Sequence, residues 1–169
     1  MKFRLHDYCD DEGDQFDNNK KKYRDQEKSD FRCGYCKLMV PSQAYGTKHR
    51  NHCPFCLWSK HVDKTPGDRK SVCAGKMAPI GLTFKHEGFD KYGKKRQGEL
   101  MIIHRCLKCG KISINRIAGD DSPAAIWKVF RKSAQLSSEV VKKLAQRGIV
   151  PLRETDRDEV EKQLFGRRQ

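Results

Sequence analysis

Apolar positions are sparse along this chain and follow two different grammars. Between about residues 31 and 121 they come in short runs broken by glycine and proline, which reads as short strands joined by turns. The runs at 37–40, 80–85, 100–105 and 111–117 predict strands. In the last of them Ile112 and Ile114 alternate with Ser113 and Asn115, the period of a half-buried strand. From Asp121 onward the spacing turns helical. Asp121 or Ser122 can cap a helix with Pro123 in its first turn, where the missing N–H costs nothing, followed by 124–132. A second helix starts after Ser137, carries Val140, Val141, Leu144 and Ala145, and stops at Gly148. A third starts at Thr155, carries Val160, Leu164 and Phe165, and ends by Gly166. Their apolar faces are narrow, so they pack on the strand region or on a partner.

Residues 1–30 fit neither grammar. They hold seven Lys/Arg against nine Asp/Glu and few aliphatic side chains, a composition that cannot offset its ordering entropy and predicts a disordered tail. Residues 31–169 carry 29 basic and 13 acidic residues, so the net charge of +14 belongs to this part. A field of that sign and strength points to a polyanion, nucleic acid above all. The start of the chain lacks the apolar stretch of a secretory signal. Its longest aliphatic run, Leu100 to Ile103, is far short of a membrane span. A cytoplasmic protein with no membrane partner is expected. In a reducing compartment paired cysteines are metal ligands more often than disulfides.

Only 36% of the residues are apolar, so a small core here needs a staple. Cys33-x2-Cys36 and Cys53-x2-Cys56 supply one, with sixteen residues between the pairs. Two such knuckles face four thiolates onto one Zn²⁺ and leave no coordination position open. Cys106-x2-Cys109 is a further knuckle, and with the isolated Cys73 it lacks one ligand for a second zinc. His61, His86, His104 and the remote Cys9 are the candidates. His61 is preferred, because a Pro-Gly turn leads from it to Cys73. The zinc-deaminase signature, with His-x-Glu and a proline immediately before Cys-x2-Cys, is not met. No catalytic residue is nominated. The expected fold is a small metal-stabilised α+β structure: zinc ribbons with short antiparallel strands, followed by C-terminal α-helices. Its divisions are a tail (1–30), a zinc-ribbon domain (31–121) and a helical extension (122–169).

The run from His49 through Arg50-Asn51-His52-Cys53-Pro54 to Asp63 resembles the signature of the RNHCP domain family. The likeness continues through Pro66-Gly67-Asp68-Arg69, Cys73, His104-Arg105-Cys106 and Asn115 to Asp121, covering about residues 31–121. The resemblance implies a bacterial cytosolic zinc-binding module and no particular activity.

Basic residues crowd the knuckles: Lys48, His49, Arg50, Lys60, Arg69, Lys70, Arg105, Lys108 and Arg116. These suit salt-sensitive contacts to phosphates, and Tyr35, inside a knuckle, suits stacking on unpaired bases. Asn51 and His52 either contact RNA with them or brace the knuckle. The function expected is RNA binding, ribosomal or otherwise structured, with a protein partner able to dock through the tail or the helices. Two alternatives stand beside it. One is a metal-dependent nuclease or hydrolase built from His49, His52, His61 and His104 with Asp63, Asp68, Asp120 and Asp121. The other is a zinc docking module for a protein such as RNA polymerase.

Overall fold

The computed structural model describes residues 30–46, 50–65, 67–94 and 96–166. The predicted tail, Cys9, Lys48 and His49 lie outside the described residues. Strands β1 (Phe31–Arg32) and β2 (Met39–Val40) pair antiparallel around the first knuckle. Strands β3 (Ser59–Lys60), β4 (Lys76–Phe84), β5 (Leu100–Cys106) and β6 (Ile112–Arg116) form an antiparallel sheet in the order β3-β4-β5-β6. Helices α1 (Pro123–Ser133) and α2 (Ser138–Ala145), a 3-10 turn (Glu154–Asp156) and α3 (Arg157–Phe165) follow. The α+β fold with ribbons first and helices last is the one the hydrophobic pattern implies.

Strand β4 begins at Lys76, four residues before the predicted start, because Pro79 masks it in the sequence. Proline donates no ladder hydrogen bond and is confined to sheet edges and bulges. Here β3 pairs with β4 only as far as Met77, so Pro79 lies beyond its reach, and the register with β5 shifts between Pro79 and Gly81.

The helices cover both faces of the sheet. Leu82, Leu100 and Ile102 pack with Ile126, Val129 and Phe130 of α1 and Val160 of α3. Ile103 and Ile112, on the opposite face, pack with Val140 and Leu144 of α2. Strand β5 is therefore buried on both sides, which is why Leu100 to Ile103 reads as an unbroken aliphatic run rather than an alternation. Ser122 caps α1 by accepting from the Ala125 N–H, and Ser137 caps α2 by accepting from Val140.

The C-terminal segment also closes the open edge of β4. Beyond β3, the Leu82 N–H donates to Ser133 Oγ (2.6 Å) and the Leu82 carbonyl accepts from Leu152 N (2.9 Å). Gly81 allows this approach, since a Cβ there would sit 2.8 Å from Ser133 Oγ. Replacing the buried Ser133 with Ala leaves the Leu82 N–H without a partner. The variant should lose about 1–3 kcal/mol of unfolding free energy in a denaturant titration. A loss under a few tenths would mean that water satisfies this edge.

Candidate metal centres

Each Cys-x2-Cys pair closes its knuckle in the same way. Lys37 N donates to Cys33 O, Leu57 N to Cys53 O and Gly110 N to Cys106 O, at 3.1, 2.8 and 3.0 Å. The residue that follows each second cysteine takes the left-handed conformation: Lys37 at φ 65°, Leu57 at 62° and Gly110 at 74°. Only the third uses glycine, the residue that adopts it without strain. Leu57 stays there because its side chain is fully buried against Leu82 and Ile102.

The first centre brings Cys33, Cys36, Cys53 and Cys56 together, with all four sulfurs within 4.8 Å of one another. Cys33 Sγ lies 3.6 Å from Cys56 Sγ, and Cys36 Sγ lies 3.6 Å from Cys53 Sγ. A tetrahedron of sulfurs about a zinc at 2.3 Å has edges of about 3.8 Å, so the donors fit the ion. Burial works against ionising Cys33, yet N–H groups of Tyr35 and Cys36 bring its thiol down to about 7. Burial and the adjoining sulfurs hold Cys56 far above the ordinary thiol range. Four thiolates thus need a cation among them.

The second centre gathers His61, Cys73, Cys106 and Cys109. Cys73 Sγ and Cys106 Sγ are 3.7 Å apart, and His61 Nδ1 lies 3.2 Å from Cys109 Sγ. Burial opposes ionisation of Cys106, but the N–H groups of Cys109 and Lys108 outweigh it and bring the thiol down to about 6. Gly75 fits beside the sulfurs because a Cβ would come within 2.8 Å of Cys106 Sγ. Either cluster could hold a metal ion, with a donor set suited to zinc and four ligands that leave no position open for substrate.

His104 takes a different place. It is fully buried, its Nε2 donates to Leu57 O (2.6 Å), and its Nδ1 accepts from Asn115 (2.7 Å). Burial pushes it down to about 3, so it is a neutral ring tying β5 to the strained residue of the second knuckle.

From His104 a chain of polar contacts runs to Arg50. Asn115 accepts from Asn51 Nδ2 (2.9 Å), Asn51 Oδ1 meets His52 Nδ1, and His52 Nε2 lies 2.7 Å from Asp121 Oδ2. Asp121 also accepts from Ala118 N (2.8 Å), and Arg50 pairs with Asp120 while donating to Gln43 O. Arg50 Nη1 stands 3.8 Å from Asp121 Oδ1. The side chain of Arg50 is 1% exposed. Its expected role at a phosphate surface is corrected accordingly: Arg50 is an internal anchor, held by carboxylates about seventy positions away in sequence. Asn51, between His52 and Asn115, braces the same network.

The other nominated residues separate by their surroundings. Lys60, Arg69, Lys70 and Lys108 are exposed, and none has a carboxylate within 4.0 Å among the described residues. Arg116 is paired with Glu99 (2.9 Å), and Arg105, half-buried, lies near Glu139. Tyr35 stacks on Trp58 with centroids 4.0 Å apart and planes 5° from parallel, leaving the tyrosine 53% exposed. His86 is exposed and outside both centres. The carboxylates that a hydrolase would recruit are engaged. Asp63 accepts from Gly67 N and Arg69 N, and Asp68 from Lys64 N, Thr65 N and Lys70 N, which holds the Asp68 carboxyl far below its usual range. The Asp-x4-Asp pattern around Pro66-Gly67 was the available signal for this turn.

No helix among the described residues is long and apolar enough to cross a membrane. The RNHCP domain model matches residues 28–127, which takes in both centres, the polar network and the first turn of α1. Searches of curated proteins and of solved structures return no match.

Two outcomes follow. The purified protein should carry two equivalents of zinc, and His61→Ala should lose one of them; cobalt titration, which distinguishes four-sulfur from three-sulfur-one-nitrogen sites, reports which. Retention of both equivalents would remove His61 from the ligand set. Arg50→Met should cost about 3–5 kcal/mol in equilibrium unfolding, because buried carboxylates lose their cation. A neutral effect would show that Asp120 and Asp121 are satisfied without it.

Proposed function

The chain belongs to the RNHCP domain family, and we propose that it is a zinc-stabilised RNA-binding protein whose cationic face surrounds the second metal centre. The observation that carries this reading is where charge sits around that centre. Lys60 on β3 stands directly across from Lys76 on β4, a like-charge pair that costs stability unless an anion lies over it. Lys108 lies exposed on the knuckle with its Nζ donating to Cys73 O (3.3 Å), and Lys64, Arg69 and Lys70 are exposed on the loop between His61 and Cys73. The acids of that loop, Asp63 and Asp68, accept from backbone N–H groups and form no ion pair with Lys64, Arg69 or Lys70, which outnumber them. Phosphates are the natural counterion for such a face, and structured RNA, ribosomal RNA first, in the cytoplasm is the partner class proposed. The two metals hold the face in shape and do not themselves touch the RNA.

A second reading has its own observation. The first ribbon exposes Phe31, Leu38, Met39, Tyr45 and Phe55, an apolar surface suited to docking a protein. Partner capture that survives nuclease digestion supports that reading.

For the RNA reading, affinity measured over a series of salt concentrations should fall linearly in log–log form. Replacing Lys60, Arg69, Lys70 and Lys108 together with Ala should flatten the slope by about 0.7 for each phosphate that is no longer neutralised. Binding with an unchanged slope would put the polyanion elsewhere.

A further inference from the structure

Between β4 and β5 the chain leaves the sheet as an arm, 85–99, that neither metal centre explains. Its neck is built. Lys85 N donates to Glu99 O (2.9 Å), and Gly98 crosses Lys85 so closely that a Cβ there would lie 1.8 Å from the Lys85 carbonyl oxygen. Gln163 of α3 holds the crossing, donating to Gly98 O (3.0 Å) and accepting from Leu100 N (2.8 Å). Above the neck Arg96 N donates to Gly88 O (3.0 Å) and Asp90 N to Lys94 O (2.8 Å). At the tip Gly93 N donates to Asp90 O (3.1 Å), with Gly93 at φ 75°. Asp90 Oδ1 accepts from Tyr92 N and Lys94 N, both at 2.9 Å. This is a type I turn closed by a left-handed glycine, a hairpin connection of defined shape.

What the arm presents is unusual for a solvent-facing loop. Phe89 is 64% exposed and Tyr92 is 81% exposed, and neither packs on either core cluster. Lys91, Lys94 and Arg96 stand among them, with Lys91 Nζ 4.9 Å from the Tyr92 ring centroid. The acids of the arm are occupied: Asp90 by the turn, Glu87 by Lys85 at 2.7 Å, and Glu99, at the neck, by Arg116 at 2.9 Å. Exposed rings alternating with cations on a fixed hairpin match the chemistry of an unpaired nucleotide, which offers a π-face beside a phosphate. A protein partner would meet the cations Lys91, Lys94 and Arg96 around only two exposed rings, and a duplex would offer no open base to the rings.

We propose that this arm is a second nucleic-acid contact, in which Phe89 and Tyr92 stack on unpaired bases while Lys91, Lys94 and Arg96 meet the adjoining phosphates; it rests on the RNA reading above. The arm leaves the end of the β4–β5 ladder where Phe84 faces Leu100, whereas the second centre adjoins the end where Met77 faces Cys106. Those ends are about 20 Å apart, so the footprint is bipartite: a cationic face at one end and a stacking arm at the other.

The test uses the full-length zinc-loaded protein with a labelled oligouridine and a labelled RNA duplex of equal length, read by fluorescence anisotropy. The double variant Phe89→Leu with Tyr92→Leu keeps apolar bulk and removes both rings. It should weaken oligouridine binding by about tenfold or more while leaving duplex binding within twofold. Tyr92→Trp should bind oligouridine and show indole quenching as the base stacks. Thermal melting and zinc content should match the parent protein; if the leucine pair perturbs either, the quenching of Tyr92→Trp decides. Unchanged oligouridine affinity in the leucine pair, with the combined Lys60, Arg69, Lys70 and Lys108 variant still impaired, overturns the arm alone. Failure of the parent protein to bind either RNA at low salt overturns the RNA reading itself. If the leucine pair instead weakens binding to anionic lipid vesicles and leaves RNA binding intact, the arm belongs to a membrane surface and the proposal is overturned.

Discussion

Four sulfurs within 4.8 Å of one another are a repulsive arrangement until a cation sits among them, and the rest of this molecule is arranged around that fact. The knuckles do more than hold ligands. Leu57, whose left-handed backbone closes the Cys53–Cys56 knuckle, places its side chain in the core with Leu82, Ile102 and Phe130. Its carbonyl accepts from His104 on the central strand. Metal binding energy at a site of this kind is of order 10–16 kcal/mol and doubles as folding energy, enough to offset a strained leucine and a buried histidine. Coordination therefore passes into the hydrophobic core through one residue.

The Arg50-Asn51-His52 segment gains its meaning from residues far along the chain. His52 leads to Asp121, Arg50 to Asp120, and Asn51 to Asn115, so the segment before the second knuckle is tied to β6 and to the stretch between it and α1. That tie fixes how the first centre sits on the sheet, and Ser122 N adds to it by donating to Pro54 O inside the knuckle. A buried arginine between two carboxylates costs desolvation, the more so because Arg50 Nη1, Asp120 Oδ1 and Asp121 Oδ1 have no hydrogen-bond partner among the described residues, and the return is a defined geometry: these charges come together only in this register.

Much of this was legible in one dimension, and the limits have physical causes. Cysteine spacing identifies knuckles because two intervening residues are what lets both sulfurs face one ion, and helix caps are local in the same way. His61 could be preferred because a turn lies between it and Cys73, a matter of chain reach. Arg50 could not be placed. Beside Lys48 and His49 it looks like one more surface cation, and only folding reveals its partners about seventy residues on. The first half of β4 was hidden for a related reason, since proline in a strand is permitted only where the neighbouring strand stops, a tertiary condition. Asp63 and Asp68 looked like possible metal or base carboxylates because composition cannot say whether an acid faces solvent or a turn of backbone N–H groups.

The placement of acids explains the electrostatic character better than the net charge of +14 does. Asp63, Asp68 and Asp90 are spent on backbone N–H groups, and Asp120 and Asp121 on Arg50 and His52. Each of these carboxylates shapes a loop or anchors an element. Cations on the same loops form no ion pair with them: Lys64, Arg69 and Lys70 beside Asp63 and Asp68, and Lys91 and Lys94 beside Asp90. Their bonds to backbone N–H groups fix the loops on which these cations stand, so the shape of the loop and the presentation of its positive charge have the same structural origin.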